Sequence, residues 1–381
     1  EKLDMAAPFA DAYRGKTVFV TGHTGFKGSW MAEWLFLLGA KVVGYSHDIP
    51  EPRSLFEDSE LASRITHVVG DVRDEAALAD ALAAAPPDFV FHLAAQALVR
   101  YSYDHPVETM ATNVMGTVHV LEALRRQARP VACIVVTSDK AYENREVLMG
   151  YREDDAFGGK DPYSASKGAA EIVAHSYLRS YFAAPESPVR MATARAGNVI
   201  GGGDWALDRI VPDCIRHLQA DTPIRVRNPL STRPWQHVLE AVSGYLWLGA
   251  LLSGTCQTPR VRDPLDVSEG FNFGPWVNAN LSVERLVERL LGHWPGKWEK
   301  GDDCAAKPEA GLLNLSIDKA FHKLEWQPVL EFAQNVEMTT LWYRRVTEGK
   351  ATAKAQTRAD IHRYTGLAQA KSIPWAGQPP L

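Results

Sequence analysis

The chain has 381 residues, longer than a single compact core usually runs, so one large domain with additions or two domains is expected. Hydrophobic content of 46% and charged content of 23% are those of an ordinary water-soluble globular protein. A formal net charge of −5, with basic residues scattered rather than striped, gives no electrostatic reason to expect nucleic acid as a partner.

From the N-terminus, Lys16 to Thr21 reads as a strand, Trp30 to Leu38 as an apolar-rich helix closed by Gly39, and Val42 to Tyr45 as the next strand. The alternation continues through a strand at Ile65 to Val69, a helix at Asp74 to Ala84, a strand at Phe89 to Leu93 and a long helix from about Pro106 to Gln127. That helix carries Val107, Met110, Val114, Val118 and Leu121 at helical spacing. Strands at Val131 to Val136 and Val189 to Ala196 flank a helix that opens at Pro162, with Asp161 as its N-cap. Near-continuously apolar strands alternating with helices predict an α/β fold, a Rossmann-type doubly wound parallel sheet covered on both faces.

Beyond Gly201 the pattern loosens into helices at Leu207 to Ala220, Val238 to Leu252, Ser282 to Leu291 and Leu330 to Thr347. The expected organisation is a dinucleotide-binding domain over 12–200, with returning segments near 229–255, and a smaller interleaved α/β substrate domain over 201–350. Thr258 to Gly270 reads as an exposed loop, and the tail over 351–381 as an arm or a poorly ordered end. The four cysteines form no C-x-x-C pair and are too few for a disulfide scaffold, so a reducing, cytoplasmic setting is expected, with Cys133 as core and no metal site. The longest apolar runs are too short to span a bilayer, no apolar signal core opens the chain, and Glu1 to Asp4 read as residues added ahead of Met5.

Between the first strand and helix lies Thr21-Gly22-His23-Thr24-Gly25-Phe26-Lys27-Gly28. Gly22 permits the tight turn, Gly25 a close approach of the backbone to a pyrophosphate, and Gly28 close packing of helix on strand, while the helix N-terminus supplies donors for the anion. Lys27 either adds charge to that phosphate site or is solvated. A ribose-binding carboxylate is expected at the end of the second strand, where Ser46 stands instead and Asp48 comes two residues late. No arginine stands there for a 2′-phosphate, which favours NAD over NADP. Asp71 and Val72 are placed to meet the adenine edge, and Leu93, Ala94, Ala95 and Gln96 end the fourth strand with the small residues a passing cofactor requires.

The fifth strand ends in Thr137-Ser138-Asp139-Lys140, and Tyr163 and Lys167 lie four apart in the first turns of the Pro162 helix. The ammonium and the helix N-terminus both favour phenolate, so the pKa of Tyr163 is expected to fall. The Tyr-x-x-x-Lys spacing carries little weight by itself. A hydroxyl, a carboxylate, two lysines and a phenol converging at a strand end are equipment for proton transfer.

Together these motifs, in this order over roughly Gly15 to Trp326, resemble the extended short-chain dehydrogenase/reductase family, and within it the nucleotide-sugar dehydratases. The resemblance implies bound NAD, a small-molecule nucleotide-sugar substrate, a homodimer or homotetramer, and a reaction with hydride removal from C4, loss of water across C5 and C6, and hydride return to C6. Tyr163 is then the base on the C4 hydroxyl, Lys167 holds the nicotinamide ribose, Ser138 bonds the same C4 oxygen and Asp139 is the acid for the leaving hydroxyl. Relatives carry Asp–Glu where this chain has Asp139-Lys140, so Lys140, partly desolvated, is taken as the C5 base, with Glu143 or a tyrosine as the alternative. Asn198 and Arg233 match diphosphate ligands of the family, Arg209 and Gln96 are further substrate contacts, and Asn113 is either part of a proton path or a buried helix–helix hydrogen bond. A nucleotide-sugar 4-epimerase, which needs no acid after the serine, a dehydratase of a sugar on another base, and a non-catalytic NAD-sensing protein are the competing readings.

Overall fold

The computed structural model describes residues 7–50, 52–301 and 312–377. Its centre is a seven-stranded parallel sheet in the order β7-β6-β5-β4-β1-β2-β3, with β1 Thr17–Thr21, β2 Lys41–Ser46, β3 Thr66–Val69, β4 Phe89–His92, β5 Val131–Val136, β6 Val189–Ala196 and β7 Gly270–Phe273. β4, β5 and β7 are buried throughout their length, as strands covered on both faces must be. The order steps outward in opposite directions from β1, so the crevice between the carboxyl ends of β1 and β4 is the topological switch point where such sheets take their ligands.

Helices α1 (Phe26–Leu37), α2 (Glu75–Ala84), α4 (Pro162–Tyr177) and α5 (Val238–Leu252) cover the sheet. The long helix expected from Pro106 is present as α3, in which Pro106–Met110 passes through a π-helical turn at Ala111–Met115 into Gly116–Gln127. Of the apolar stripe only Leu121 is fully buried on its inward face. Asn113, Gly116, Thr117, Val120 and Leu121 point inward, while Val107 is 81% exposed and Met110 and Met115 also face out. Gly116 has no side chain because Val72 passes so close that a Cβ there would lie 2.8 Å from it.

Two expectations fail. Thr258 to Gly270 is not simply an exposed loop: Val261 and Val267 are fully buried, Pro264–Val267 form a 3₁₀ turn, and Gly270 begins the edge strand of the main sheet. The tail is not an arm. Thr352 caps an 18-residue helix α7, Ala353–Ala370, which packs beside α6 (Phe332–Thr347) and against α1. Tyr364 and Trp375 stack on each other and meet the edge of Trp34, and Arg358 donates to the buried carboxylate of Glu33. Much of its inward face is polar (Gln356, Thr357, Asp360 and Thr365), which hides the amphipathic pattern. Ile361, fully buried on α7, is expected to cost about 2–5 kcal/mol of unfolding free energy on replacement by Ala, read from urea denaturation.

Short two-stranded ladders (Val199–Ile200 with Gln236–His237, Ile224–Val226 with Trp298–Lys300, Thr232–Pro234 with Asn280–Ser282) build the rest over the carboxyl ends of the sheet. Cys133, Cys214 and Cys256 are buried free thiols, while Cys304 and residues 1–4 lie outside the described residues. Among the described residues no helix is long and apolar enough to cross a membrane, and no group of three or more His, Cys, Asp or Glu could hold a metal.

Candidate active site

A cavity of about 1470 Å³ runs along the carboxyl ends of the strands, from Asp48 and Asp71 at one side to Ser138, Asp139, Tyr163 and Lys167 at the other. Its floor is the glycine turn. Gly22 has φ +74° and faces the start of the β4 loop, where a Cβ would stand 2.7 Å from the Ala94 amide nitrogen. Gly28 lies so close beneath the turn that a Cβ would fall 2.1 Å from the Gly22 carbonyl oxygen. No side chain fits at either position, and the free N-terminus of α1 opens into the cavity with Gly25 as its uncapped N-cap. The unused amide donors and the bare backbone fit a dinucleotide pyrophosphate. Gly22→Ala is expected to cost about 1–3 kcal/mol of stability through the left-handed backbone and the clash, and to weaken NAD binding in a calorimetric titration.

His23 does not line the cavity. The ring is fully buried behind the turn, bonded to Ser46 Oγ at 2.9 Å and His67 Nδ1 at 2.7 Å, against Gly44, where any Cβ would strike it. Burial, then His67, lowers its pKa to about 4. Ser46, at the expected carboxylate position, is spent on that contact. Thr24 Oγ1 donates to the Asp48 carbonyl at 2.7 Å, leaving the Asp48 carboxylate largely exposed at the cavity edge. Asp71 is gripped by Arg73 through Nε and a terminal nitrogen; burial would raise its pKa, but those hydrogen bonds outweigh it and hold the carboxylate below its usual range. Arg73 lines this end of the cavity with its charge already paired.

Val72, Leu93, Ala94, Ala95 and Gln96 line the middle. The Gln96 side chain is committed internally, donating to Thr109 and the Leu98 carbonyl and accepting from the Leu98 amide, so it does not present free groups to a substrate. Asn113 is the buried hydrogen-bonding alternative, joining both backbone groups of Gln96 to Ser166 Oγ at 2.8 Å.

At the other end, Ser138 Oγ donates to Asp139 Oδ1 at 2.8 Å and accepts from the Lys140 amide at 3.2 Å. Burial pushes the Asp139 carboxyl up, against the pull of Lys140 and the serine. Asp161 caps α4, accepting from the Ser164 amide at 2.9 Å, and so sets Tyr163 and Lys167 in its first turns. Burial lowers Lys167 to about 8, with Glu171 pulling the other way. The expectation that Tyr163 falls is not met. Burial raises the phenol to about 12, against the hydrogen bond of Ser138, and the Asp139 carboxylate pushes it further up. A local sequence reads the helix and the neighbouring lysine but not the loss of water.

Lys27 turns toward this end, bonding Tyr245 Oη at 3.2 Å, and is lowered to about 8 by burial, Lys167 and Arg209. Lys140 and Asn198 line the cavity, as does Arg233. Glu143 packs on Gly158 instead, outside the lining. Arg209 lines the cavity too, paired with Asp204 at 2.9 Å and bearing electrostatically on Tyr163. Trp205 is a core residue outside the cavity lining, donating to Asp58 and covered by Arg53. Tyr245 was not read from the sequence, since nothing local marks a residue 218 positions from Lys27 as its neighbour.

The model of the NAD dependent epimerase/dehydratase family matches residues 18–253. The chain belongs to that family. A CDP-glucose 4,6-dehydratase of Salmonella typhimurium is 42% identical over 348 residues, covering 89% of this chain and 93% of the relative. A dTDP-glucose 4,6-dehydratase of Mycolicibacterium smegmatis is 27% identical over 291 residues, covering 74% and 80%. The solved dTDP-glucose 4,6-dehydratase of Bacillus anthracis, in complex with NAD, superposes with a TM-score of 0.71 at 20% identity, covering 88% of this chain and 98% of its own. As an extended short-chain dehydrogenase/reductase, this epimerase/dehydratase takes NAD as its cofactor, and its glycine floor, the α1 N-terminus and the Asp48–Asp71 edge are the residues that would hold it.

Proposed function

We propose that the chain is a nucleotide-sugar 4,6-dehydratase converting CDP-D-glucose to CDP-4-keto-6-deoxy-D-glucose. The observation that carries this reading is the buried Asp139 carboxyl, bonded to Ser138 in the same cavity as Tyr163 and Lys167. Epimerisation at C4 has no leaving hydroxyl and no use for such an acid. The sugar and base follow from the 42% relative and from Thr-Gly-His-Thr-Gly-Phe-Lys-Gly-Ser-Trp, Thr-Ser-Asp-Lys-Ala-Tyr-Glu-Asn and Gly-Tyr-Arg-Glu-Asp-Asp, which look like those of CDP-D-glucose 4,6-dehydratase.

When bound, NAD supplies the hydride acceptor for C4 and the donor for C6, and its oxidised ring adds the positive charge that would bring the buried phenol into working range. Tyr163 takes the C4 hydroxyl proton, helped by Ser138 on the same oxygen. The Asp139 carboxyl, raised by burial, keeps its proton further toward neutrality than an exposed aspartate, and gives it to the C6 hydroxyl as that group leaves. Lys140, half-buried beside Asp139, is the C5 base in this reading. Lys140→Met is expected to slow wash-in of solvent deuterium at C5 by about 10²–10⁴-fold, followed by mass spectrometry; undiminished exchange transfers the role to another group. Asn198, Arg209 and Arg233 stand for the diphosphate.

Incubation with NAD and each of CDP-glucose, dTDP-glucose and GDP-mannose, read by alkaline absorbance of the keto-sugar, tests the whole. Keto-sugar from CDP-glucose alone is expected, whereas a C4 epimer, or keto-sugar only from another base, overturns the assignment. The exposed Val107, Met110 and Met115 of α3, with Ile172 of α4 at 60% exposure, are read as the face where a second copy packs in a homodimer or homotetramer. A cytoplasmic role in making deoxysugars for bacterial surface polysaccharide follows from the same assignment.

A further inference from the structure

Beneath the catalytic end lies an ion pair that the mechanism above does not use. Glu171 and Arg195 are both fully buried. The carboxylate accepts from Arg195 Nε at 2.8 Å and from a terminal guanidinium nitrogen at 2.9 Å, and also from the hydroxyl of Thr137. Arg195 in turn donates to Tyr142 Oη at 2.6 Å and to the Glu153 carbonyl at 3.2 Å, and its guanidinium lies over the rings of Phe157 and Tyr142. Tyr142 passes the chain on to Asn272 in β7 at 2.8 Å. β7 hugs this group so closely that a Cβ on Gly270 would lie 2.4 Å from the guanidinium.

Such a pair is an expensive way to hold a core together, because desolvating two charges offsets much of their attraction and well-packed apolar side chains often do as well. Its position is what distinguishes it. Thr137 immediately precedes Ser138 and Asp139, and Tyr142 follows three residues after Asp139, so one rigid fork grips both sides of the turn that carries the serine and the acid. Glu171 also lies one helical turn after Lys167 on α4, the same face by spacing.

We propose that Glu171 and Arg195 are positioning residues, a buried pair that fixes the turn from Thr137 to Tyr142 and holds a negative charge one helical turn from Lys167. Glu171, on its own helix, is the charge that bears on that ammonium, which in turn bears on Lys27 from α1 and His92 from β4, with Tyr163 one turn before it and Arg195 behind the carboxylate. Burial takes Lys167 down to about 8, and Glu171 is the group that opposes the fall. The catalytic consequence rests on the dehydratase reading; the electrostatic one does not.

Two variants test it. Glu171→Gln keeps shape and acceptor but removes the charge, and Glu171→Met combined with Arg195→Met replaces the pair by apolar volume. Both are titrated by NMR of ¹⁵N-labelled lysine, assigned with Lys167→Met, and both are assayed for kcat and KM where the parent turns over. Lys167 is expected to titrate at least about one pH unit lower in Glu171→Gln and lower by a smaller step in the double variant, which also loses the arginine's charge, with kcat down about 10- to 100-fold in each and KM nearly unchanged. A double variant that melts like the parent, titrates like it and turns over at the parent rate makes the pair dispensable and overturns the proposal. So does failure of both variants to fold, which assigns the pair to stability alone. A parent inactive on every nucleotide sugar removes the functional reading, while the Lys167 titration still decides the electrostatic half.

Discussion

Replacing Tyr163 by Phe is expected to lower kcat about 10²–10⁴-fold while leaving KM nearly unchanged. The substitution keeps the buried ring and removes one oxygen, so the packing of α4 on the turn after β5 survives and the loss falls on proton transfer. The sign of the pH dependence follows from the raised phenol. Only its ionised form accepts a proton, so in the parent kcat climbs with pH on the acid side of the tyrosine's pKa. That limb should be missing from the variant. Steady-state assays across pH, with keto-sugar as readout, check both points; a variant within threefold of the parent would remove Tyr163 from the chemistry.

Asp139→Asn separates the steps. The amide still accepts from Ser138 but has no acidic proton to give, so oxidation at C4 should persist while loss of the C6 hydroxyl slows about 10²–10⁴-fold. In a single-turnover experiment, reduced cofactor should accumulate, seen as its near-ultraviolet absorbance, with little 6-deoxy product in mass spectra. In the parent, elimination should weaken as pH rises through the aspartate's pKa, because the acid form is then lost. Burial places that loss at higher pH than for an exposed carboxyl. Equal slowing of oxidation and elimination would show the carboxyl to be a scaffold rather than an acid.

The parallel sheet was legible because its strands are short, apolar and separated by capped helices, signals that need no knowledge of partners. β7 was not: Gly-Phe-Asn-Phe is four residues long, and its pairing with β6 spans 77 positions. α7 escaped for the opposite reason, its buried face being filled by Gln356, Thr357, Asp360 and Thr365. The apolar stripe of α3 misled because Val107 and Met110 face outward and only Leu121 is fully buried, while Gly116, which meets Val72, had no room for a side chain. In the site, the order of motifs told which residues gather at the strand ends. It could not tell where their side chains turn, so the burial of His23 behind its turn and the reach of Lys27 toward Tyr245 came only with coordinates. Glu171 was within reach of the sequence, four residues after Lys167, had the helix been followed one turn further.

The last long helix of the chain rests on the helix that opens the cofactor floor, and Arg358 meets Glu33 across 325 positions. On the ribosome, α1 is therefore made well before Tyr364 and Trp375 arrive to seal Trp34. Closing so long a loop is slow, and the apolar flank of α1 stays open to other contacts meanwhile. Until α7 docks, the helix beneath the dinucleotide site keeps Trp34 uncovered while every catalytic side chain is already in the chain.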